Sequence, residues 1–256
     1  MKKNIIDFTL IENTQLHTAY ALMKFRPMQG ALPPILPGQF AEVRIDDSSA
    51  TYLRRPISIH NVDYDKNELW LLVRRAGIGT DKLASLLVGT TVNMVLPLGN
   101  SFTTPSNTEI QPLLIGGGVG VAPLLCWGKA LLQQGIRPAF LLGARSHKDL
   151  LQLDEFQAVG DVYISTEDGS IGERGFVTQH SILQQNFSYI YTCGPKPMMQ
   201  AVANIARQKN IPCEVSLENL MACGVGACLC CVENTTEGHV CVCKEGPIFN
   251  IDRLTW

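Results

Sequence analysis

At 256 residues, 46 % of them hydrophobic, the chain is long enough for two domains with real cores. A net charge of −2 and the lack of any long Lys/Arg run argue against nucleic acid or a charged membrane surface as partner. No apolar stretch approaches the roughly 18 residues of a spanning helix and the Ile5-Ile6 run is too short for a signal peptide, so a soluble cytoplasmic protein is expected.

Up to about Asn100, short alternating runs such as 40–45 and 68–74 are separated by Pro/Gly-rich turns, Leu36-Pro37-Gly38 and Pro97-Leu98-Gly99-Asn100. This texture predicts an antiparallel barrel or sandwich. Within it, Leu53-Arg54-Arg55-Pro56-Ile57-Ser58-Ile59 sets two guanidinium groups beside a Pro-fixed extended segment. Arginine recognises phosphate with two parallel hydrogen bonds, and the Ser58 hydroxyl can reach another part of the same ligand. The plainer alternative is a pair of exposed strand charges.

From Gln111 the period changes. Apolar runs at 112–115, 139–142, 162–164 and 189–191 alternate with helix-like stretches, which predicts a parallel sheet. The first run enters Gly116-Gly117-Gly118-Val119-Gly120-Val121-Ala122-Pro123, where backbone N–H groups and a helix start can face a pyrophosphate. It is not the dinucleotide fingerprint: counted from Gly116, the last glycine position is Val121, and no acidic residue follows at the ribose-holding distance. Taken alone, the glycines fit a phosphate cradle or a tight structural turn. Cys193-Gly194-Pro195-Lys196-Pro197 repeats the strand-to-helix arrangement, and two such turns at the carboxyl ends of parallel strands would line one crevice.

The chain has nine cysteines, an odd number, and six of them crowd between Cys223 and Cys243, which reads as metal rather than a disulfide framework. Cys223-x4-Cys228-x2-Cys231 followed by Cys243 matches the plant-type spacing of a [2Fe-2S] cluster, in which each of two irons takes two thiolates. Cys230 has the wrong offset and reads as a packing residue. Cys241 competes with Cys243 for the fourth place, with Cys243 favoured by its setting in Val242-Cys243-Lys244-Glu245-Gly246-Pro247. Zinc is the competing metal, although a single C-x2-C pair is unlike the paired ligands of zinc ribbons. The five histidines show no metal-ligand spacing.

The order Pro-Gly-Gln-Phe, Arg-x-x-Ser, Gly-Gly-Gly-x-Gly-x-x-Pro and Cys-Gly-Pro resembles the ferredoxin–NADP reductase superfamily over roughly residues 1–210. The resemblance implies that Arg55 binds the FAD pyrophosphate, that Ser58 meets the flavin near its reactive nitrogen, and that Pro56 and Ile57 belong to the same site. Ile57 departs from the aromatic residue that many members carry there. Leu72, Val73 and Arg74 look like the next flavin-contacting strand and Gly79-Thr80 like a pyrophosphate-receiving turn, while Gly116, Gly117, Gly118, Gly120, Pro123, Cys193, Gly194 and Pro195 look like the nicotinamide-nucleotide site. Ser216-Leu217-Glu218-Asn219 leading into the cysteines, with the Val-Cys-x-x-Gly-Pro-x-Phe ending, is similar to the electron-transfer subunits of class B dihydroorotate dehydrogenase.

That family resemblance implies three regions in an α+β multidomain chain: an antiparallel β-barrel FAD domain (1–100), an α/β parallel-sheet NAD-binding domain (101–210) and a small C-terminal [2Fe-2S] module (211–256). No residue is assigned to acid–base catalysis, since hydride transfer needs no dyad. The substrate is expected on a separate FMN-containing catalytic subunit, in a heterotetramer of two of each chain. Related electron-transfer subunits of sulfhydrogenases or ferredoxin:NADP transhydrogenases, or a stand-alone NAD(P)H reductase, share the same plan, and Arg145 is a candidate for a 2′-phosphate.

Overall fold

The structure is a computed structural model and describes residues 2–256; Met1, counted in the expected first domain, lies outside them. The chain separates into two compact units. The first comprises residues up to Ser101 with Glu218–Glu233 and His239–Pro247, and the second comprises Phe102–Leu217, Asn234–Gly238 and Ile248–Trp256. The expected third region, 211–256, is therefore divided between the two units instead of standing apart.

In the first unit β1 (Asn4–His17), β2 (Tyr20–Pro27), β3 (Phe40–Val43), β4 (Arg55–Asp63), β5 (Glu68–Arg74) and β6 (Thr91–Leu98) close an antiparallel barrel in the order β1-β2-β5-β4-β3-β6. Strand periodicity decides what fills it. Ala41 and Val43 of β3 and Leu69, Leu71 and Val73 of β5 point inward, against Phe8, Phe25, Met94 and Leu83 of the short helix α1 (Ile78–Ala84).

The same alternation sends Phe40 and Glu42 to the outside of β3, yet both are buried. The cover is the C-terminal segment. A Cβ built on Gly99 would stand 3.1 Å from Phe40 and 2.5 Å from Pro247, and the Asn100 N–H donates to the Gly246 carbonyl (2.7 Å). Covering a side chain of Phe40's size stabilises by about 2 kcal/mol, which gives the cysteine-bearing segment a core it cannot build alone.

In the second unit the chain runs through β7 (Leu113–Gly117), α2 (Ala122–Gln133), β8 (Ala139–Ala144), α3 (Leu153–Val159), β9 (Asp161–Thr166), β10 (Glu173–Arg174), β11 (Ile190–Cys193), α4 (Lys196–Lys209) and β12 (Cys213–Ser216). Near the C-terminus β13 (Val232–Thr235) and β14 (Gly238–Cys241) form a separate two-stranded sheet, α5 (Val242–Glu245) belongs to the first unit, and β15 (Ile248–Asn250) closes the order β10-β9-β8-β7-β11-β12-β15. All pairs in that sheet are parallel except β12–β15. The long helix α4 opens at Pro195 with Pro197 in its first turn and closes on Asn210 in the left-handed region (φ 53°), with Arg207 and Lys209 at its negative end.

Sequence periodicity missed β13 to β15 because they are three or four residues long and carry no repeat. Among the described residues no helix is long and apolar enough to cross a membrane.

Candidate functional site

The two adjacent arginines have different work. Arg54 is consumed by the barrel: its guanidinium donates to the carbonyls of Glu42 (3.3 Å) and Asn93 (3.0 Å) and to Asn93 Oδ1 (2.6 Å), while Asn93 in turn donates to Asp7 (2.6 Å). Arg55 donates to the carbonyls of Leu53 (3.1 Å) and Arg54 (3.2 Å), its own approach to the strand. It lies against Gly79, where a Cβ would stand 2.7 Å from Arg55 Nε and 3.1 Å from Thr51. Only glycine lets that turn come so close to the guanidinium. Thr80 folds the turn, accepting from the Ala76 N–H (2.9 Å) and donating to the Gly77 carbonyl (3.1 Å).

Arg55, Pro56, Ile57 and Ser58 are all half-buried, an uninterrupted run that a strand with one wet face would not show. In β5 the Val73 side chain belongs to the barrel core and Leu72 is buried, which leaves only their main chain open to a ligand, whereas the Arg74 side chain is exposed.

In the second unit β9-β8-β7-β11-β12 has the doubly wound pattern: all five strands are parallel, and successive strands are added to one side of β7 up to β9 and then to its other side from β11, so the switch point where such sheets hold ligands lies between β7 and β11. Gly116 and Cys193 are register partners there, so the two glycine turns stand side by side. They touch. A Cβ on Gly120 would collide with the carbonyl oxygen of Cys193 and stand 2.6 Å from Gly194 Cα, and one on Gly117 would stand 2.7 Å from Met198. Gly118 and Gly194 adopt positive φ (57° and 155°). The glycines thus meet a packing requirement as well as leaving backbone N–H groups free of side chains at the start of α2, where Pro123 occupies the first turn. Cys193 is fully buried, so its part in this crevice is through main chain.

The six clustered cysteines belong to the barrel unit. Between Asn219 and Cys231 the chain has no regular structure and turns through Gly224 (φ 65°), Gly226 (φ 82°) and Leu229 (φ 59°). Those turns aim N–H groups at sulfur: Val225 (3.4 Å) and Ala227 (3.3 Å) donate to Cys223, Gly226 donates to Cys243 (3.1 Å) and Cys243 donates to Cys231 (3.3 Å). Among the described residues no three His, Cys, Asp or Glu side chains converge on one point as a single ion requires. The thiols stand as hydrogen-bonded pairs instead, Cys223 with Cys228 and Cys231 with Cys243, and Cys231 also reaches Cys241. None of these contacts involves the exposed Cys230.

The Val225 N–H is the largest influence holding the Cys223 thiol down at about 6, whereas burial pushes Cys243 up to about 12. A metal entering such a site displaces a proton from the second kind of thiol. Paired soft thiolates with N–H donors to sulfur fit a two-iron, two-sulfide core, in which each iron takes two cysteines.

Residues 114–204 match the family model of the oxidoreductase NAD-binding domain, and residues 218–255 match that of the iron-sulfur cluster binding domain of dihydroorotate dehydrogenase B. Over 99 % of each chain, the protein is 38 % identical to the electron transfer subunit of dihydroorotate dehydrogenase B (NAD(+)) of Shouchella clausii. It is 38 % identical to that of Fusobacterium nucleatum over 83 % of this chain and 84 % of the other. Among solved structures it is similar to one from the NADH-dependent reduced ferredoxin-NADP oxidoreductase, with a TM-score of 0.84, 25 % identity, and coverage of 97 % of this chain and 90 % of that one. The ferredoxin reductase of carbazole 1,9a-dioxygenase shares the fold, with a TM-score of 0.70, 21 % identity, and coverage of 83 % and 68 %.

Proposed function

Because the chain belongs to the family of electron-transfer subunits of NAD-dependent dihydroorotate dehydrogenase B, we propose that it carries electrons from dihydroorotate oxidation, on an FMN-containing partner subunit, through [2Fe-2S] and FAD to NAD in pyrimidine biosynthesis. The observation that carries the reading is the loop in which N–H groups converge on Cys223, Cys231 and Cys243 in the same compact unit as the Arg55–Gly79 cradle. When bound, FAD converts the two-electron hydride of the nicotinamide into the single electrons that an iron–sulfur cluster accepts.

The chain's own residues then have distinct tasks. Arg55, with Gly79 and Thr80, holds the FAD pyrophosphate; Pro56 and Ile57 line the site; Ser58 offers its hydroxyl to the flavin; and the main chain of Leu72 and Val73 with Arg74 completes the contact. Gly116, Gly117, Gly118 and Gly120, the start of α2 at Pro123, and the turn Cys193-Gly194-Pro195 receive the NAD phosphates. Cys223, Cys228, Cys231 and Cys243 hold the iron, with Cys241 in reach of Cys231 but outside the set. We place the complex in the cytoplasm as a heterotetramer of two chains of each kind.

Purification of the complex tests the assignment. The expected product is brown, holds about two irons per FAD with a rhombic paramagnetic signal on reduction, and co-purifies with a flavoprotein that oxidises dihydroorotate. Zinc without iron, or an isolated chain with no such partner in its source, overturns it. The likeness to the reduced ferredoxin-NADP oxidoreductase structure supports a second reading, a subunit serving ferredoxin and NADP. Preference for NADPH together with absence of dihydroorotate oxidation in the purified complex would select that reading.

A further inference from the structure

The FAD reading gives tasks to Arg55, Gly79 and Thr80 but none to the residues beside them in the barrel unit. Thr51 is buried, only 6 % exposed, and its hydroxyl oxygen has no hydrogen-bond partner among the described residues. Its methyl group closes on the Gly79 turn, where a Cβ would stand 3.1 Å away, on the same glycine that meets Arg55. A buried hydroxyl is destabilising until something completes its hydrogen bond, and here the nearest vacant partner would be a ligand in the cradle.

One residue further the environment inverts. Tyr52 is 90 % exposed, and Ile78, immediately before Gly79, is 65 % exposed. A Cβ on Gly77 would meet nothing within 4 Å, so that side of the turn is open. Single exposed apolar residues are ordinary on a surface. These two are neighbours of residues that touch, Thr51 and Gly79, and they flank a half-buried guanidinium.

Resting on the FAD assignment, we propose that this corner receives the adenosine end of the cofactor. The Thr51 hydroxyl donates to an oxygen on the adenosine side of the pyrophosphate, and adenine stacks on the Tyr52 ring with Ile78 at its border. In FAD a single ribose separates the pyrophosphate from adenine, so a cradle that fixes the phosphates brings the base to rest close by. A phenol ring covers the aromatic face of a base and leaves its polar edges to water. A protein partner could cover Tyr52 and Ile78 as well, but it gives no account of an unpaired hydroxyl beside Arg55. A phosphorylated ligand supplies acceptors for both.

The test is flavin rebinding by the full chain, with iron retained and flavin removed. It is titrated with FAD, with FMN, which lacks the adenosine, and with ADP as competitor against FAD. Tyr52→Ala is expected to raise the dissociation constant of FAD and the inhibition constant of ADP about tenfold each, as loss of one stacked base should, and to leave FMN unchanged. Tyr52→Phe keeps the ring and should match the wild type. Thr51→Val, which keeps the shape and removes the hydroxyl, should weaken FAD and ADP and spare FMN, and Thr51→Ser should recover both. Full FAD affinity in Tyr52→Ala or in Thr51→Val, or equal losses of FAD and FMN, overturns the proposal and leaves the FAD assignment standing. Loss of a co-purifying partner from Tyr52→Ala with FAD affinity intact gives the face to protein and overturns it likewise. Should FMN bind too weakly to measure, ADP decides: equal inhibition constants for wild type and Tyr52→Ala sink the idea. A wild-type chain that binds no FAD overturns both readings.

Discussion

At Arg54 and Arg55, neighbours of one residue type are separated only by tertiary partners. The sequence offers both as phosphate ligands, but Asn93 and Asp7, distant in the chain, claim Arg54. Arg55→Ala is therefore expected to lose FAD and keep iron, as absorbance and iron assay of one preparation would show. Arg54→Ala should instead lower stability by about 1–3 kcal/mol, because it strips partners from buried acceptors, and leave FAD in place. At the cysteines, serine at 223, 228, 231 or 243 should abolish or damage the paramagnetic signal, and serine at 230 or 241 should spare it. Loss of iron with Cys241→Ser but not with Cys243→Ser would reverse the choice of fourth ligand. Spacing singles out three of the proposed ligands; the contest for the fourth persists because Cys231 reaches both contenders. Glu42 makes a separate thermodynamic prediction. Burial raises its proton affinity, so the folded chain holds a proton that the unfolded chain releases, and stability present in acid is lost as pH rises from the ordinary carboxylate range through about 7. The loss is on the order of 3 kcal/mol. Thermal midpoints of wild type and Glu42→Gln should nearly coincide at low pH, with the variant melting higher above neutrality.

At the level of elements, the nucleotide unit was the most legible because β7, β8 and β11 are each an apolar run followed by a turn and a helix. The order in which those strands lie is not a local property, yet it puts the two glycine turns side by side at the switch point. The glycines were ambiguous between cradle and structural turn, and the contact of Gly120 with Cys193 and Gly194 gives them the structural role whatever they bind. Gly120→Ala should thus lower stability by at least about 2 kcal/mol and weaken NAD binding together, measured by denaturant midpoint and by nucleotide titration. Weakened binding at unchanged stability would show that the crevice tolerates the methyl group. The barrel was only partly legible. The runs at 40–45 and 68–74 show its alternation, but alternation alone predicts a wet outer face for β3, and burial of Phe40 and Glu42 follows from residues far along the chain.

For the molecule as a whole, three consecutive regions were expected, and the chain instead forms two units, with residues 211–256 divided between them and the six clustered cysteines all in the first. No local pattern announces such interleaving, because each piece is too short to carry a period of its own. Binding of iron stabilises whatever folded arrangement holds it. Removal of iron by a chelator from the reduced protein should therefore speed amide exchange in β3 under the loop, while β8 and β9 of the sheet keep their protection. Uniform loss of protection would mean that the two units melt as one. The division also bears on the order of synthesis. A ribosome that has made everything through Leu217 has released all six barrel strands, but the cover of Phe40 and Glu42 is still to be translated. Until the final stretch emerges, the nascent barrel offers that face to chaperones, and the iron-loading machinery has no complete set of thiols to load.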